Sequence, residues 1–589
     1  MVNIKINGKA LQVEDDITIL EAAKKVNVKI PTLCYNADLP PWASCGICIV
    51  RTAGPGSPRM ARACITPVAE NMDIITHDPE IIATRRTVVE LILSNHPSDC
   101  LQCPRNGNCE LQALAAAFGI RQLPYKHISS GLPIDDSNPA IVLNPEKCIR
   151  CGRCVKVCQE IQNVWAIEFL GRGIKGRIAS AADAPLGESP CIKCGQCAAH
   201  CPVGAIYERD DTVKVWAALQ NPDLHPVVQI APAVRVALAE EFGLEPGTIL
   251  TKKIYAALRR LGFKTVFDTN FSADLTIMEE GTELVHRLTK GGDIPLITSC
   301  CPAWVDYMEK YYADMIPNFS TAKSPQQMMG AMIKAYWAGK AGVNPDKVYS
   351  VSVMPCTAKK WETKRNEDMK SSGHNYDVDI SITTRELARM IKQAGIEILK
   401  LADEEADNPL GPYTGAGTIF GVTGGVMEAA VRSAYFLVTK KELGDVNFLP
   451  VRGLEGVKEA EVDFGVPIAG YGTKIRIAVA HQMGNIAAVL DRIRAARDAG
   501  KEIPYHFVEV MACRGGCIAG GGQPYGCTDE VRSLRTKGLY NDDQKSQYRC
   551  SHQNPFIKEV YQEFLGEPTG HKAHKLLHTK YTERPLYLK

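Results

Sequence analysis

The sequence predicts a multidomain chain in which small α+β modules precede a larger α/β domain. Three observations point there. At 589 residues the chain is too long for one compact hydrophobic core. Its 22 cysteines fall in clusters that divide the first part of the chain into short modules. Beyond about Val213, strand-like and helix-like stretches alternate, which argues for α/β layers.

The bulk properties narrow the function. A content of 45% hydrophobic and 23% charged residues fits a soluble globular protein. The formal net charge of +2 gives no reason to expect nucleic acid or an acidic membrane surface as a partner. No apolar run approaches the roughly 18 residues of a membrane span, so none is expected. Met1-Val2-Asn3-Ile4-Lys5 lacks a basic region followed by an apolar core. A secretory signal is therefore not expected, and a cytoplasmic location is. In a large chain of this kind, clustered cysteines read as metal ligands rather than disulfides.

Val2 to Ile6 reads as a strand, Asn7-Gly8 as a turn, and Ile19 to Ala23 as the start of a helix. Cys34, Cys45, Cys48 and Cys64 follow. Four cysteines with one C-x-x-C pair suit a [2Fe–2S] cluster, and zinc on four thiolates is the alternative. Next comes a helical stretch, Arg85 to Leu93, and then His96, Cys100, Cys103 and Cys109 in an H-x3-C-x2-C-x5-C pattern. One imidazole and three thiolates fit an iron–sulfur cluster of raised potential, or a Cys3His zinc site.

Cys148, Cys151, Cys154 and Cys158 form C-x2-C-x2-C-x3-C, and Cys191, Cys194, Cys197 and Cys201 repeat it before Pro202. This is the bacterial two-cluster ferredoxin run, in which the fourth cysteine of each repeat serves the other cluster. Cys148, Cys151, Cys154 and Cys201 are therefore assigned to one [4Fe–4S] centre. Cys191, Cys194, Cys197 and Cys158 are assigned to the second.

In the larger domain, strands are expected at Val227–Val234, Lys264–Asp268, Pro295–Ser299, Val348–Met354, Ile475–His481 and Phe507–Met511. Three of these apolar runs end in cysteine: before Cys300-Cys301, before Cys356, and before Cys513 with Cys517 beyond. In open α/β sheets, ligands collect outside the carboxyl ends of the strands. Cys301, Cys356, Cys513 and Cys517 could thus converge on one iron–sulfur cluster, with Cys300 left over. Gly415-Ala416-Gly417-Thr418-Ile419-Phe420-Gly421 does not fit G-x-G-x-x-G, and no P-loop spacing occurs, so no nucleotide site is expected.

At this point a family resemblance emerges. Thr298-Ser299-Cys300-Cys301-Pro302, Met354-Pro355-Cys356-Thr357-Ala358-Lys359-Lys360 and Met511-Ala512-Cys513-Arg514-Gly515-Gly516-Cys517 resemble the three signatures of iron-only ([FeFe]) hydrogenases. Asp274-Leu275-Thr276-Ile277-Met278-Glu279-Glu280 and Gly424-Gly425-Val426-Met427-Glu428 match as well. The resemblance implies four parts. They are a β-grasp [2Fe–2S] domain over 1–78, a small His/Cys3 [4Fe–4S] domain over 79–130, a 2[4Fe–4S] ferredoxin-like domain over 138–212, and a two-lobed α/β H-cluster domain over 213–589 with a small-subunit-like tail. It also implies an H-cluster, a [4Fe–4S] cube bridged by cysteine sulfur to a diiron subsite with CO, cyanide and a dithiolate. With it come three further [4Fe–4S] clusters and one [2Fe–2S] cluster.

Carried over by motif, Cys301, Cys356, Cys513 and Cys517 hold the cube, with Cys517 bridging. Lys359 donates to a cyanide, and Met354, Met511, Ala231, Pro232 and Gln326 pack beside the diiron unit. Read without the resemblance, Lys359 is a surface lysine and the methionines are core fillers.

Hydrogen cleavage in this family is heterolytic, so a proton must leave a dry pocket. The resemblance routes it through Cys300, Glu280, Ser320 and Glu283 to solvent, with Arg287 near the exit. Glu280 and Glu283 are three residues apart and share a helix face. Alone they would read as a solvated acidic face that includes Glu279. Cys527 and Cys550 match no ligand pattern and read as structural. The tail from His571 reads as solvated and partly helical.

The function expected is reversible oxidation of H2, with electrons passed to ferredoxin or to flavin- and NAD(P)-binding partner subunits of an electron-bifurcating complex. Dedicated maturation proteins would build the diiron unit. The rivals are an electron-relay subunit related to the large iron–sulfur subunit of complex I, a non-catalytic cluster scaffold and a hydrogen sensor. Cys300→Ser is expected to keep its clusters yet lose on the order of 10²–10⁴ in turnover. Unchanged hydrogen uptake with full iron loading would refute the relay.

Overall fold

The computed structural model describes residues 1–54, 56–468 and 470–588. They form two compact units: Met1–Ile161, Trp165–Ser189 and His200–Tyr207 in one, and Gln162–Val164, Pro190–Ala199 and Glu208–Lys589 in the other.

The first unit opens with a hairpin of β1 (Val2–Ile6) and β2 (Lys9–Val13). Asn7 and Gly8 both take positive φ at its tip, as a two-residue turn between twisted strands requires. Helix α1 (Ile19–Lys25) starts at a reciprocal Thr18–Glu21 capping box. Strands β3 (Ile49–Gly54), β4 (Gly56–Arg62) and β5 (Met72–Ile75) complete a sheet of order β2-β1-β5-β3-β4. β1 and β5 run parallel, and the other pairs antiparallel. Ile4, Ile6, Val50 and Ile74 turn inward onto Ile19, Leu20, Ala22 and Ala23. This five-stranded grip on one helix is the β-grasp arrangement. Helix α2 (Pro79–Leu93) follows, capped by Asp78 with proline in its first turn. It extends further back than Arg85, and Arg85 ties it to the sheet by donating to the carbonyl of Ile49 at 3.0 Å. Helix α3 spans Glu110–Ala117.

In the second unit the strands are β6 (His225–Ile230), β7 (Thr265–Asp268), β8 (Leu296–Ile297), β9 (Val348–Met354), β10 (Ile380–Thr383), β11 (Val457–Ile468), β12 (Gly472–His481) and β13 (Phe507–Met511). One sheet has the order β7-β6-β9-β10 and is parallel throughout. Its strands are almost continuously buried, as parallel sheets demand. The other has the order β8-β13-β12-β11, with only β11 antiparallel.

Two strands escape the sequence pattern. β10 is only Ile-Ser-Ile-Thr, and β11 carries Glu459, Glu461 and Asp463, whose alternation with Ala460, Val462 and Phe464 belongs to an edge strand. Two expected strands are shorter than predicted. The first ends at Ile230, where Ala231 and Pro232 turn the chain away. The run before Cys300 is a strand only at Leu296 and Ile297, with Thr298 N–H still donating to Val508 O at 3.0 Å; Pro295, with no N–H to offer, stands before it.

Four helices surround these sheets at the positions that matter for chemistry: α4 (Thr269–Lys290), α5 (Pro302–Tyr311), α6 (Gly425–Thr439) and α7 (Asp529–Lys545). Buried ion pairs fix their ends. Arg235 grips Asp268, the N-cap of α4, with bonds of 2.8 and 2.9 Å. Arg432 on α6 reaches Asp543 on α7 with two bonds of 2.9 Å. Breaking such a pair would strand a buried charge, so the pairs pin these elements in register.

The tail departs from the expectation of a solvated segment. His571–Leu577 is helical, α8, but Ala573, Leu576, Leu577, His578 and Thr579 are buried. The apolar side chains join a core with Met328, Met332 and Leu275. The backbone is held too: Lys323 N–H donates to Leu577 O and Thr579 N–H to Thr321 O, both at 2.8 Å. Among the described residues, no helix is long and apolar enough to cross a membrane.

Candidate functional site

The carboxyl ends of β8, β9 and β13 deliver Cys301, Cys356 and Cys513 to one cavity, and Cys517 joins them from the loop after β13. The cavity has a volume of about 80 Å³. Cys300, Lys359, Met354, Met511, Ala231, Pro232 and Gln326 also line it, so every residue expected beside the diiron unit faces this space.

The chemistry of the donors fits a thiolate-bound iron cluster. As free groups, these thiols are pushed up by burial and by one another, Cys356 and Cys517 each to about 12. A cationic metal core removes the repulsion and keeps such sulfurs ionised. Gly516 makes the loop possible. Its φ is +96°, and a Cβ there would lie 2.6 Å from the Thr423 nitrogen and 2.9 Å from the Met511 sulfur.

Lys359 is buried and is not a surface lysine. Its ammonium donates to Cys300 O at 3.2 Å and to Glu362 Oε2 at 2.8 Å. Burial pulls its pKa down, but the Glu362 carboxylate outweighs that and holds it above the ordinary value. Gln326 is held on both ends: Ser352 donates to its Oε1 at 2.8 Å, and its Nε2 donates to Glu362 at 3.0 Å.

Behind Cys300 a polar path crosses the core. Burial, and then the Glu280 charge, raise the Cys300 thiol. Glu280 is itself buried, and burial followed by repulsion from Glu283 lifts its carboxyl to about 8. The Ser320 hydroxyl contacts Glu280 on one side and donates to Glu283 Oε2 at 2.9 Å on the other. Arg287 Nη2 donates to Glu283 Oε1 at 2.7 Å. Exposure grows along the way, from 1% at Glu280 and none at Ser320 to 13% for the Glu283 and Arg287 side chains. The alternative of a solvated acidic face is overturned. Glu279 is also fully buried, bonded by Tyr561, with His578 Nε2 2.9 Å from its Oε2.

Family models match this architecture part by part. Residues 224–521 match "Iron only hydrogenase large subunit, C-terminal domain", half of the chain. The chain belongs to the iron-only hydrogenase family. Residues 529–584 match the iron hydrogenase small subunit, so this family member carries both parts in one chain. Its N-terminal part matches a 2Fe–2S binding domain over 1–79, the NADH-ubiquinone oxidoreductase-G iron–sulfur region over 85–124, and a 4Fe–4S dicluster domain over 147–205.

Similar proteins include the NADP-reducing hydrogenase subunit HndD of Solidesulfovibrio fructosivorans, 47% identical over 596 residues and 99% of each chain. Iron hydrogenase 1 of Clostridium pasteurianum is 39% identical over 99% of this chain and 100% of its own. Among solved structures, a variant of [FeFe]-hydrogenase HydA1 from Chlamydomonas reinhardtii is 42% identical with a TM-score of 0.56, covering 64% of this chain and all of that one.

Two of the other cysteine sets of this hydrogenase come together within the first unit. Cys34, Cys45, Cys48 and Cys64 interact sulfur to sulfur. Cys148, Cys151, Cys154 and Cys201 line one small apolar cavity with Ile178, Val203 and Ile206. His96 is buried, and its Nδ1 has no hydrogen-bond partner. Cys103 and Cys109 lie near enough to interact, and Cys100 precedes them in a single helical turn. Cys191, Cys194 and Cys197 belong to the second unit and Cys158 to the first.

Several participants carry no local signal in the sequence. Cys194 is part of the wall of the central cavity, as are Phe420, Thr269 and Ala273. Gln196 Nε2 donates to Cys513 Sγ at 3.1 Å, and Lys193 is buried in an ion pair with Asp306 of α5. Glu362, which holds Lys359 at 2.8 Å, stands in none of the motifs singled out above.

Gly204 marks how tightly the His96 group is packed. A Cβ there would lie 2.4 Å from Cys103 Sγ. Gly204→Val should displace that sulfur, and the purified variant should hold less iron per chain while the central cavity's cluster signals persist. Iron analysis with electron paramagnetic resonance checks this.

Proposed function

We propose that this chain catalyses H2 ⇌ 2H⁺ + 2e⁻. The observation that carries the proposal is the meeting, in one apolar cavity, of four thiols, a fifth thiol backed by a buried carboxyl chain, and a buried lysine. Cys301, Cys356, Cys513 and Cys517 would hold the cubane of an H-cluster, with Cys517 shared with the diiron unit. When bound, that unit supplies the heterolytic cleavage of H2.

The protein's part is to hold, exclude and conduct. Met354, Met511, Ala231 and Pro232 keep water out of the cavity, and Gln326 and Glu362 hold Lys359 so that its charge faces anionic ligands. Cys300 takes up and releases the proton, and Glu280, Ser320 and Glu283 pass it along hydrogen bonds to the Arg287 end, where solvent begins. A buried carboxyl with a pKa of about 8 holds its proton at neutral pH and is poised to exchange it. A pure electron-relay subunit or cluster scaffold has no use for this path.

Electrons would enter and leave through the remaining clusters, three [4Fe–4S] and one [2Fe–2S]. Cys191, Cys194 and Cys197 would help to hold the nearest, because Cys194 lines the cavity. The His96, Cys100, Cys103 and Cys109 centre and the [2Fe–2S] centre would be the outer outlets. Ferredoxin is one electron partner. The similarity to a subunit of an NADP-reducing hydrogenase supports NAD(P)-linked partner subunits. Flavin-binding subunits, electron bifurcation and a cytoplasmic location belong to the same proposal. Maturation proteins would deliver the diiron unit.

Infrared spectroscopy tests the central claim. Protein from a host with the maturation machinery should show CO and cyanide bands and take up H2, and protein from a host without it should show neither. A fully iron-loaded, matured sample lacking both would sink the assignment. The relay carries a sign of its own. Glu283 raises the Glu280 pKa by like-charge repulsion, so Glu283→Gln should lower the midpoint at which Glu280 loses its proton. Burial should still keep it above the ordinary carboxyl range. Infrared titration of the protonated carboxyl band against pH reads this shift.

A further inference from the structure

Away from every cluster motif, Glu442, Cys550 and His552 bring a carboxylate oxygen, a thiol sulfur and an imidazole nitrogen within 4.8 Å of one another. We propose that these three residues form a site for a borderline divalent cation of the zinc class, with water in the remaining position.

The histidine is oriented as a ligand. Its ring stacks on Phe436, with centroids 4.3 Å apart and planes 3° from parallel. Its Nδ1 lies 3.1 Å from Ser433 Oγ, and its Nε2 lies 3.1 and 3.2 Å from the two oxygens of Glu442. With Nδ1 donating to the hydroxyl, Nε2 presents a lone pair to a carboxylate. Two lone-pair donors face each other at that distance only with a proton or a cation between them.

The cysteine makes the cation the better occupant. Cys550 is 1% exposed, and its sulfur accepts the backbone N–H of Gln553. The Gln553 side chain in turn donates to Glu442 Oε2 at 3.0 Å. One residue thus orients two of the three donors, as outer partners of metal sites do. A simple histidine–glutamate pair needs no sulfur within reach.

The nearby guanidiniums point to other carboxylates and leave the three donors unoccupied by them. Arg432 is paired with Glu428 and Asp543, and Arg549 with Asp543. Imidazole, carboxylate and thiolate together are a zinc-type donor set, distinct from the all-oxygen sets of calcium and magnesium.

The position gives the cation a job. Ser433, Phe436 and Glu442 lie within the stretch matching the large-subunit model, 224–521, and Cys550 and His552 within the stretch matching the small-subunit model, 529–584. A bound cation would staple the two parts of the catalytic unit together.

The test uses matured holoenzyme prepared without chelator, incubated with micromolar Zn²⁺ and desalted. Zinc and iron are counted by mass spectrometry, and the zinc shell is read by X-ray absorption. The expected result is about one zinc per chain in a mixed sulfur and nitrogen/oxygen shell. Cys550→Ser and His552→Ala should lose it with iron unchanged, and the exposed, isosteric Glu442→Gln should weaken it without disturbing the fold. Wild-type protein that retains no zinc would overturn the site. So would zinc retained equally by all three variants, or zinc in an all-sulfur shell, which would mark a cluster site filled by the wrong metal.

Discussion

The second unit depends on one constraint: sulfur that must carry negative charge lies in an apolar interior. Thiols left free in such a wall stay protonated, and burial with mutual repulsion raises Cys356 and Cys517 far above the ordinary range. An iron core reverses that preference by supplying the missing positive charge. The surrounding chemistry arises from the same need. Lys359 is a cation within the cavity wall, and it is kept charged by the Glu362 carboxylate, whose Oε2 also accepts from Ser324 and Gln326.

The fold meets this constraint by convergence. Two sheets, one wholly parallel, aim their strand ends at a common point, so residues far apart in sequence arrive together without long loops. Buried pairs such as Arg235–Asp268 hold α4, and α4 carries both Glu280 and Glu283. One helix therefore sets the spacing of the two carboxylates on the proposed proton path.

Much of this was legible in the sequence, because ligand spacing is a local property. The ferredoxin-type cysteine repeat names its clusters before any fold is known, and the strands before Cys356 and Cys513 are implied by apolar runs, whereas the β-grasp module came only with the family resemblance. What escaped was long-range or ambiguous locally. β11 was not among the expected strands because charged residues interrupt its apolar ones along an edge. Glu279 and Glu280 are neighbours in sequence but point to different partners, and only the buried tail reveals why Glu279 is not solvated. Cys194 reads as one ferredoxin ligand among eight, with nothing in its spacing to place it in the wall of the central cavity.

The buried tail has a temporal side. The stretch that carries Ser320 is clasped by Leu577, Thr579 and Tyr581, the last donating its hydroxyl to the Ser320 carbonyl at 3.0 Å. The Tyr581 partner does not exist until translation has passed codon 581, 261 residues after Ser320 itself is made. The nascent protein can thus assemble its N-terminal modules long before this edge of the catalytic unit has anything to close against.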